Sequence, residues 1–262
     1  TYYVPANATL VVSGAVSHEE ARAAAEKYFG WIPKLPKPEG VSVVEPAQTE
    51  PREVVIKEKL GRVPLARYAY RGVKAAHPDA IPLYLMIQIL GGDESSRLNQ
   101  DLVKTRQICQ EAYAFMWDLE QDGMFFVGAE MAQDGDMDTE PVFAAMDEHI
   151  ARLAAEGVTQ RELDKVRNQL LRSTVTGQLK VYDKANAIGQ TAIDFGDPEW
   201  LNDKLEVIHA VTVDDIRRVA AGEQDGGPGD RRRWLGGVAA SAAGRRQRGA
   251  EQQRRHTGAA LR

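Results

Sequence analysis

Two adjacent glycines, Gly91 and Gly92, separate a long apolar segment from a polar one, and this break constrains the fold more than any other feature. The sequence of residues 89–110 reads ILGGDESSRLNQDLVKTRQICQ. Glycine turns sharply at little steric cost, so an apolar helix is predicted to end here; if one glycine has φ > 0, replacing it by Val should strain the backbone. Ser95 is predicted to cap a new helix that buries Leu98 and Leu102.

The same segment resembles a motif of a known peptidase family. GGDESSRLNQDLV is similar to the GG-x-SSRL-x-x-x-L segment in the C-terminal domain of the M16 zinc metallopeptidases, which include pitrilysin-like and mitochondrial-processing-peptidase-like proteins. Four other segments agree in order and spacing: YVPANATLVVSG, EEARAAAEKYFGWIP, the DG-x-F element at 122–125 and GVTQRELDKVRNQL. The resemblance covers about residues 1 to 220.

Hydrophobic periodicity predicts an α+β domain, an antiparallel β-sheet with helices packed mainly on one face. Strands are predicted at 8–16 (buried), 53–60 and 65–71, and as a hairpin at 111–117 and 124–131. Helices are predicted at residues 18–29, over the apolar positions 142 to 153, at 181–194 and from Val213 onwards. Three more are predicted from their caps: one that ends at Leu90 and is capped by Asp79, one that follows the Thr159–Glu162 capping box, and one that begins at Pro198 and is capped by Asp197. Ser17 and Glu20 form another capping box, Gly30 is predicted as a left-handed helix end, and the proline-rich residues 33–51 are an extended connector.

The charge of the chain is unevenly distributed. Its net charge is −5, yet residues 222–262 carry nine Arg, no Lys and four acidic residues. This segment also has nine glycines and no hydrophobic period, so it cannot bury enough apolar surface to fold. We interpret residues 1–221 as the M16-like domain and 222–262 as a disordered or aberrant, frame-shifted tail. A basic arm for nucleic acid is the functional alternative for the tail.

Composition excludes several classes of function. The overall charge gives no reason to expect nucleic acid as a partner. The sequence contains no run of about 18 apolar residues, so no membrane span is predicted. The chain starts at Thr1 without a leader of basic and then apolar residues, so we expect any signal peptide to be removed or to belong to an upstream part. The single cysteine excludes an internal disulfide.

The zinc-binding motif of the family is not found in this chain. M16 zinc peptidases carry an inverted H-x-x-E-H helix, in which two histidines bind zinc and the glutamate acts as general base. The five histidines are too far apart in sequence to form one: His18, His77, His149, His209 and His256. We therefore predict no catalytic and no metal-binding residue here, and the substrate-binding residues are not identified.

Three further patterns are interpreted as structural. Cys109 lacks a predictable histidine partner, so core packing is favoured over nucleophilic catalysis. Ser95 and Ser96 lack a G-x-S-x-G context and are interpreted as caps. The acidic segment from Asp134 to Glu140 imitates a calcium loop but lacks its glycine and its final glutamate.

Some M16 C-terminal domains contribute an arginine and, seven residues later, a tyrosine to the substrate site. In this chain the aligned positions hold Val103 and Gln110. Arg106 and Tyr113 have the same spacing but lie three positions later, so the role is not assigned to them. In paired bacterial M16 proteins the arginine–tyrosine pair belongs to the partner without zinc, so its loss suggests the C-terminal domain of the zinc-bearing partner.

The resemblance implies the C-terminal domain of an M16 zinc peptidase, which forms one wall of the chamber that encloses a peptide. Its expected partners are an N-terminal zinc-bearing domain, which would hold the only cofactor, a second M16-like subunit and a peptide that adds as a strand to a sheet edge. This chain alone is expected to be inactive. The alternative is a non-catalytic assembly or peptide-binding module of the same fold. A location in the bacterial cell envelope is suggested by the resemblance only.

Overall fold

The computed structural model of the chain describes residues 2–40, 42, 51–56, 63–132 and 138–222, and the backbone of 238–241. Two compact units are formed, one by Thr1–Ala47 with Arg167–Ala210 and the other by Gln48–Val166 with Val211–Arg262. We call them the first and the second unit. The predicted domain boundary near residue 221 stays a prediction, because residues 223–237 and 242–262 lie outside the described part.

The described residues form an α+β fold, as the sequence predicts. The helices are α1 (His18–Phe29), α2 (Ala80–Gly91), α3 (Glu140–Glu156), α4 (Gln160–Thr176), α5 (Val181–Asp194), α6 (Trp200–Ala210) and α7 (Val213–Ala220). A short 3-10 helix covers Pro5–Asn7 and a π-helix covers Asn99–Thr105. The strands are β1 (Arg52–Val55), β2 (Leu65–Arg71), β3 (Cys109–Asp118), β4 (Gly123–Met131) and β5 (Val238–Ser241). Among the described residues, no helix is long and apolar enough to cross a membrane.

The second unit is built on one five-stranded sheet in the order β1-β5-β2-β4-β3. The predicted hairpin is confirmed, since β3 and β4 pair antiparallel from Asp118 and Gly123 outwards. β2 pairs antiparallel with both β4 and β5. The sheet is not wholly antiparallel, because β1 pairs parallel with β5. β5 lies within the segment predicted to be disordered, and that prediction stays untested because the rest of the segment after Gly222 lies outside the described residues.

One face of the sheet carries the core of the second unit. Alternate residues of a strand point to the same face, and those on this face are buried on β3 and β4. They are Ala112, Ala114, Phe125, Val127, Ala129 and Met131. The apolar side of α2 covers this face, with Leu83, Ile87 and Leu90 almost fully buried. α3 packs on the same side, where its Phe143 ring lies 5.0 Å from the ring of Tyr68. α2 and α3 are therefore on one face of the sheet, in agreement with the prediction of helices packed mainly on one face.

The first unit has few buried side chains among its described residues. α5 and α6 pack on each other, and the rings of Phe195 and Trp200 stack at 3.7 Å between them. α1 has the predicted capping box, in which Ser17 Oγ accepts from Glu20 N–H and the Glu20 carboxylate accepts from Ser17 N–H. No residue of α1 is buried.

The prediction that residues 8–16 form a buried strand is wrong. No strand is present there, and most of the segment is exposed. Its β-branched composition favours extended backbone, but a strand also needs a neighbouring edge for its hydrogen bonds. Gly30, predicted as a left-handed helix end, instead has helical backbone with φ −65°. The described part of the proline-rich connector, residues 33–40, 42 and 51, has no regular structure, as predicted.

The predicted break at the two glycines is present, but it is not a left-handed turn. Neither glycine has a positive φ; Gly91 is the last residue of α2 and Gly92 has φ −79°. The requirement for glycine is instead close packing, because a Cβ on Gly91 would lie 2.5 Å from Ala114 N and 2.7 Å from Tyr113 C. The helix end thus lies directly against the backbone of β3.

Two predicted helix caps are also corrected. Ser95 does not cap the following helix: its hydroxyl and N–H both donate to Asp93 Oδ1, at 2.8 and 2.9 Å. Asp93 therefore makes the turn, since an Asp side chain bonds the backbone two residues on. Asp79 precedes α2 as predicted, yet its carboxylate is bonded by Arg218 of α7 rather than by the helix N–H groups.

Candidate functional site

The open face of the sheet, opposite α2 and α3, carries a row of aromatic side chains. Tyr113, Phe115 and Trp117 alternate along β3 and therefore point to this face together. Phe126 of the neighbouring strand stacks on Phe115 at 4.8 Å and meets Trp117 edge-on at 5.3 Å. Trp117 remains 55% exposed. We call Arg67, Tyr113, Phe115, Trp117 and Phe126 the open-face cluster.

Arg67 of β2 anchors one end of this cluster. Its Nε donates to Tyr113 Oη at 2.9 Å and its Nη2 donates to the same oxygen at 2.5 Å. The guanidinium also lies 5.5 Å from the centre of the Tyr113 ring and 5.8 Å from that of Phe126, within the range of cation–π attraction. The arginine therefore fixes the ring positions instead of extending into solvent.

Gly128 allows the tyrosine ring to lie flat across the strands. It stands between Arg67 and Tyr113 in the register of the three strands. A Cβ at this position would lie 2.9 Å from both Cζ and Oη of the Tyr113 ring. Glycine within a strand commonly marks such a close approach. The open-face cluster is thus closely packed where Tyr113 crosses Gly128.

The two outer strands of the sheet differ in how much of their edge is covered. On β3, Asn99 Nδ2 donates to the carbonyl of Ala112 at 2.5 Å, and Gly91 approaches Ala114 N closely. The Ala112 carbonyl of β3 is thus already bonded by a side chain of the π-helix. β1 is exposed along all of its four residues.

A second concave surface lies between the π-helix and α3. It is a cleft of about 580 Å³ whose walls are mostly charged. Arg106 bonds Asp101 at 2.9 Å and Glu148 at 3.1 Å. Burial alone would raise the pKa of the Asp101 carboxyl, but hydrogen bonds from Arg106 and His149 outweigh burial and lower it. Because these charges neutralise one another, the cleft is best explained as an ion-pair network that ties the π-helix to α3.

The Asp101–His149 pair has the first two members of a catalytic triad but no third. His149 Nε2 lies 3.0 Å from Asp101 Oδ2, and the histidine is 9% exposed. Within the described ranges, its buried Nδ1 has no hydrogen-bond partner, whereas a triad would place a hydroxyl or thiol there. The pair therefore does not form a nucleophilic site.

Each described histidine has its own local surroundings. His18 begins α1, His209 lies at the end of α6, and the Nδ1 of His77 accepts from Asp79 N–H at 3.0 Å. His256 lies outside the described residues. Within the residues that can be described, no group of three or more His, Cys, Asp or Glu side chains could hold a metal ion.

The other residues that the sequence analysis considered make packing contacts or ion pairs and do not form a reactive site. Cys109 is buried at the start of β3, and burial raises the pKa of its thiol to about 11, which disfavours the reactive thiolate. Arg106 and Tyr113 do not meet, since Arg106 bonds acids in the cleft while Tyr113 bonds Arg67 on the sheet. The acidic segment at 134–140 lies outside the described residues up to position 137, so its interpretation as a turn is untested.

Sequence reasoning did not single out the open-face cluster. One signal was present, because three aromatic residues at alternate positions 113, 115 and 117 give one face of a strand a strongly aromatic character. The contribution of Arg67 could not be found in this way. Its position opposite Tyr113 depends on the register of β2, β4 and β3 together.

Comparison with known proteins decides the family. The sequence profile described as the peptidase M16 inactive domain matches residues 1–170, which is more than half of the chain. This chain belongs to the M16 peptidase family. It is similar to the Uncharacterized zinc protease YmxG of Bacillus subtilis, with 22% identity over 84% of this chain and 52% of the relative. It is also similar to the Zinc protease PqqE of Helicobacter pylori, with 23% identity over 84% of this chain and 49% of that protein.

Solved structures show the same fold for M16 proteins. A protease from Helicobacter pylori superposes with a TM-score of 0.75 at 20% identity, covering 87% of this chain and 54% of its own. The peptidase M16 inactive domain from Pseudomonas fluorescens gives a TM-score of 0.70 at 20% identity, covering 87% of this chain and 51% of its own. The chain thus spans about half the length of the relatives that it matches. It corresponds to the inactive domain of larger M16 proteins, so an N-terminal partner domain is implied.

Proposed function

We propose that this M16 chain is the C-terminal domain of a zinc-dependent peptidase and forms one wall of its peptide-binding chamber. The observation that carries the proposal is the match to an inactive M16 domain over about half the length of relatives named as zinc proteases. In this arrangement the other half supplies the H-x-x-E-H helix, whose zinc polarises the scissile carbonyl and activates water. The lack of a metal-binding cluster among the described residues of this chain fits that division.

The open-face cluster is the surface that best fits the chamber wall. Aromatic side chains bury large area at low entropy cost, and they suit contact with apolar side chains of a peptide. Of the second unit, α2 and α3 pack on the opposite face, and Trp117 on this face is 55% exposed. Asn99 already bonds the Ala112 carbonyl of β3, and we therefore place the peptide over the sheet face that carries the open-face cluster.

Activity of the two halves together tests the proposal. This chain alone should hold no stoichiometric zinc and cleave no peptide, whereas addition of an H-x-x-E-H half from the same genome should give chelator-sensitive cleavage. One tightly held zinc per chain, with proteolysis by the isolated chain, would overturn the proposal. Association of the two halves without any cleavage would also overturn the proposal, and it would favour a non-catalytic assembly module.

Variants of the open face test the chamber wall separately. Trp117→Ala and Phe126→Ala should raise KM for an apolar peptide about tenfold, the loss typical of a central aromatic contact, with little change in kcat. Tyr182→Ala is the matched control, because this tyrosine is 79% exposed and lies in the first unit on α5. An unchanged KM in both open-face variants would place the peptide elsewhere.

A further inference from the structure

The open-face cluster presents two hydrogen-bond donors beside its aromatic rings. Tyr113 Oη accepts both hydrogen bonds from Arg67, so the proton of its own hydroxyl is left to be donated. Trp117 is exposed, and among the described residues its indole N–H has no acceptor. Both donors lie on β3, and the four positions between them span about 13 Å in an extended strand. A ligand that covers this face must therefore bring acceptors of its own.

The rings next to Trp117 leave a corner that fits a small, rigid ring. Phe126 stands at 72° to the indole ring, with the ring centres 5.3 Å apart. Phe115 is inclined at 57° to the indole ring, with the centres 5.8 Å apart. Rings at such steep angles leave a corner between them instead of a closed stack. A proline ring is compact and apolar, and aromatic surfaces of this kind are the usual binding sites of proline-rich segments.

The sheet offers no backbone partner to a ligand on this face. β4 pairs with β2 on one side and with β3 on the other over residues 124–130, so its N–H and C=O groups are used within the sheet. An extended peptide over the face would gain no strand pairing. A helical peptide bonds its own carbonyls and cannot offer them to Trp117 and Tyr113. A polyproline II segment has no internal hydrogen bonds, so its carbonyls stay open to both donors.

We propose that the open-face cluster binds a proline-rich segment of the peptide in the polyproline II conformation. A proline ring lies in the corner between Trp117 and Phe126, and carbonyls of the segment accept from Trp117 Nε1 and Tyr113 Oη. Donors about 13 Å apart match carbonyls about four residues apart in this conformation, which rises about 3.1 Å per residue. The inference rests on the proposed function, since it names the class of peptide for the same chamber wall.

Two glutamates at the other end of the face set the direction of the ligand. Glu111 and Glu130 stand directly opposite each other on β3 and β4, and they share the face of the cluster because they alternate with buried residues. The hydrogen bond to Glu130 from Gln110, at 3.0 Å, leaves both charges in place. Like charges directly opposite each other destabilise a sheet, so a lysine or arginine of the ligand stabilises this pair. Glu111 lies about 20 Å along the strand from Trp117, which places the basic residue about six residues from the proline.

Binding of short synthetic peptides to this chain tests the inference. The probes are a proline decamer that begins with arginine, an alanine decamer that begins with arginine, and a proline decamer that begins with glutamate. Isothermal titration calorimetry measures the three dissociation constants. The arginine–proline decamer should bind at least about tenfold more tightly than the alanine decamer, whose helix-forming residues withhold two hydrogen bonds. It should also bind about threefold more tightly than the glutamate–proline decamer, because it gains an exposed ion pair.

Two results with these probes would contradict the inference. Equal affinity for the arginine–proline and alanine decamers, or tighter binding of the alanine decamer, would show a general apolar or helix-binding surface and would overturn it. Equal affinity for the arginine–proline and glutamate–proline decamers would overturn the placement of the basic residue at Glu111 and Glu130.

Variants of the face locate the bound segment. Trp117→Phe keeps a ring but removes the N–H, so the arginine–proline decamer should bind about fivefold more weakly, as expected for one neutral hydrogen bond. Trp117→Ala should weaken it at least about tenfold. Glu111→Gln should weaken the arginine–proline decamer about threefold and should not weaken the glutamate–proline decamer.

Two exposed positions of the first unit provide the controls. Tyr182→Ala on α5 and Glu206→Gln on α6 should leave all three dissociation constants unchanged. Circular dichroism of every variant checks that a loss of binding is not a loss of fold. Unchanged affinity of folded Trp117→Phe and Trp117→Ala for the arginine–proline decamer would place the proline elsewhere and would overturn the inference.

The outcomes for this inference and for the proposed function can be told apart. If the two halves cleave peptide together while this chain binds the proline and alanine decamers equally, the inference is wrong and the proposed function stands. If the arginine–proline decamer binds as expected while the two halves show no cleavage, the proposed function is wrong and the open face is the proline-binding surface of a non-catalytic module.

Discussion

Arg97 and Glu162 are joined by two hydrogen bonds, from Nε to Oε1 at 2.7 Å and from Nη2 to Oε2 at 3.0 Å. The carboxylate of Glu162 also accepts from the N–H of Thr159 at 2.8 Å, which completes the predicted capping box of α4. Arg97 in turn donates to the carbonyl of Gly157 at 3.2 Å. Two of the segments that resemble the M16 family, GGDESSRLNQDLV and GVTQRELDKVRNQL, are thus bonded to each other.

Loss of this contact should destabilise the second unit. Arg97→Met should lower the free energy of unfolding by about 1 to 2 kcal/mol, because it leaves a half-buried carboxylate without its charged donor. Urea unfolding measures this change. Arg22→Met is the matched control, since Arg22 pairs with Glu26 on the exposed surface of α1 and should change little. Equal stability of the two variants would show that the Arg97 contact is not a structural link.

The same carboxylate predicts a pH dependence. Burial alone would raise the pKa of Glu162, but hydrogen bonds from Arg97 and Thr159 outweigh it and lower the pKa from 4.5 to about 2. The ionised form is therefore favoured by folding, and its contribution is complete above pH 4.5 and is lost as the pH falls towards 2. Glu162→Gln should lose less stability than the parent over this range, as measured by urea unfolding at each pH. Glu53→Gln in the exposed strand β1 is the control, and a parallel pH profile for Glu162→Gln would contradict the prediction.

The close approach of α2 to β3 predicts a strong effect at Gly91. Gly91→Val would place side-chain atoms into the backbone at Tyr113 and Ala114, so the helix or the strand must move. The free energy of unfolding should fall by about 1 to 3 kcal/mol or more, as for other overpacked sites. Gly40→Val is a suitable control, because a Cβ there meets nothing within 4 Å. If both variants unfold at the same urea concentration, the contact with β3 is not close in solution.

The segment 222–262 is predicted to be cut before the rest of the chain. Trypsin should remove its arginine-rich part, beginning at Arg231, while α2, α3 and β2–β4 stay intact, because the segment lacks hydrophobic periodicity. Mass spectrometry of the fragments gives the answer. Deletion after Gly222 also removes β5, so the shortened chain should self-associate through the uncovered edge of β2. A fragment that resists trypsin through Arg255 would contradict the disordered tail.

Local elements could be read from the sequence because their causes lie within a few residues. The Ser17–Glu20 and Thr159–Glu162 capping boxes each join residues three positions apart, and the structure confirms both. The bounds of β2 and α5 also match, since periodicity and turn residues fix them locally. The predicted strand at 8–16 shows the limit of this reasoning. Its residues favour extended backbone, but local preference cannot supply the strand with which it must pair.

The sequence alone determined the family motifs, the α+β class and the lack of an H-x-x-E-H motif. These are properties of composition and of short spacing between residues. The tertiary structure decided which distant groups meet. Arg67 bonds Tyr113, which is 46 positions away in the sequence, and Arg97 bonds Glu162, which is 65 positions away. The carboxylate of Asp79 accepts from Arg218, which is 139 positions away. Such pairs follow from strand register and helix packing, which depend on all of the buried contacts at once and not on any one segment.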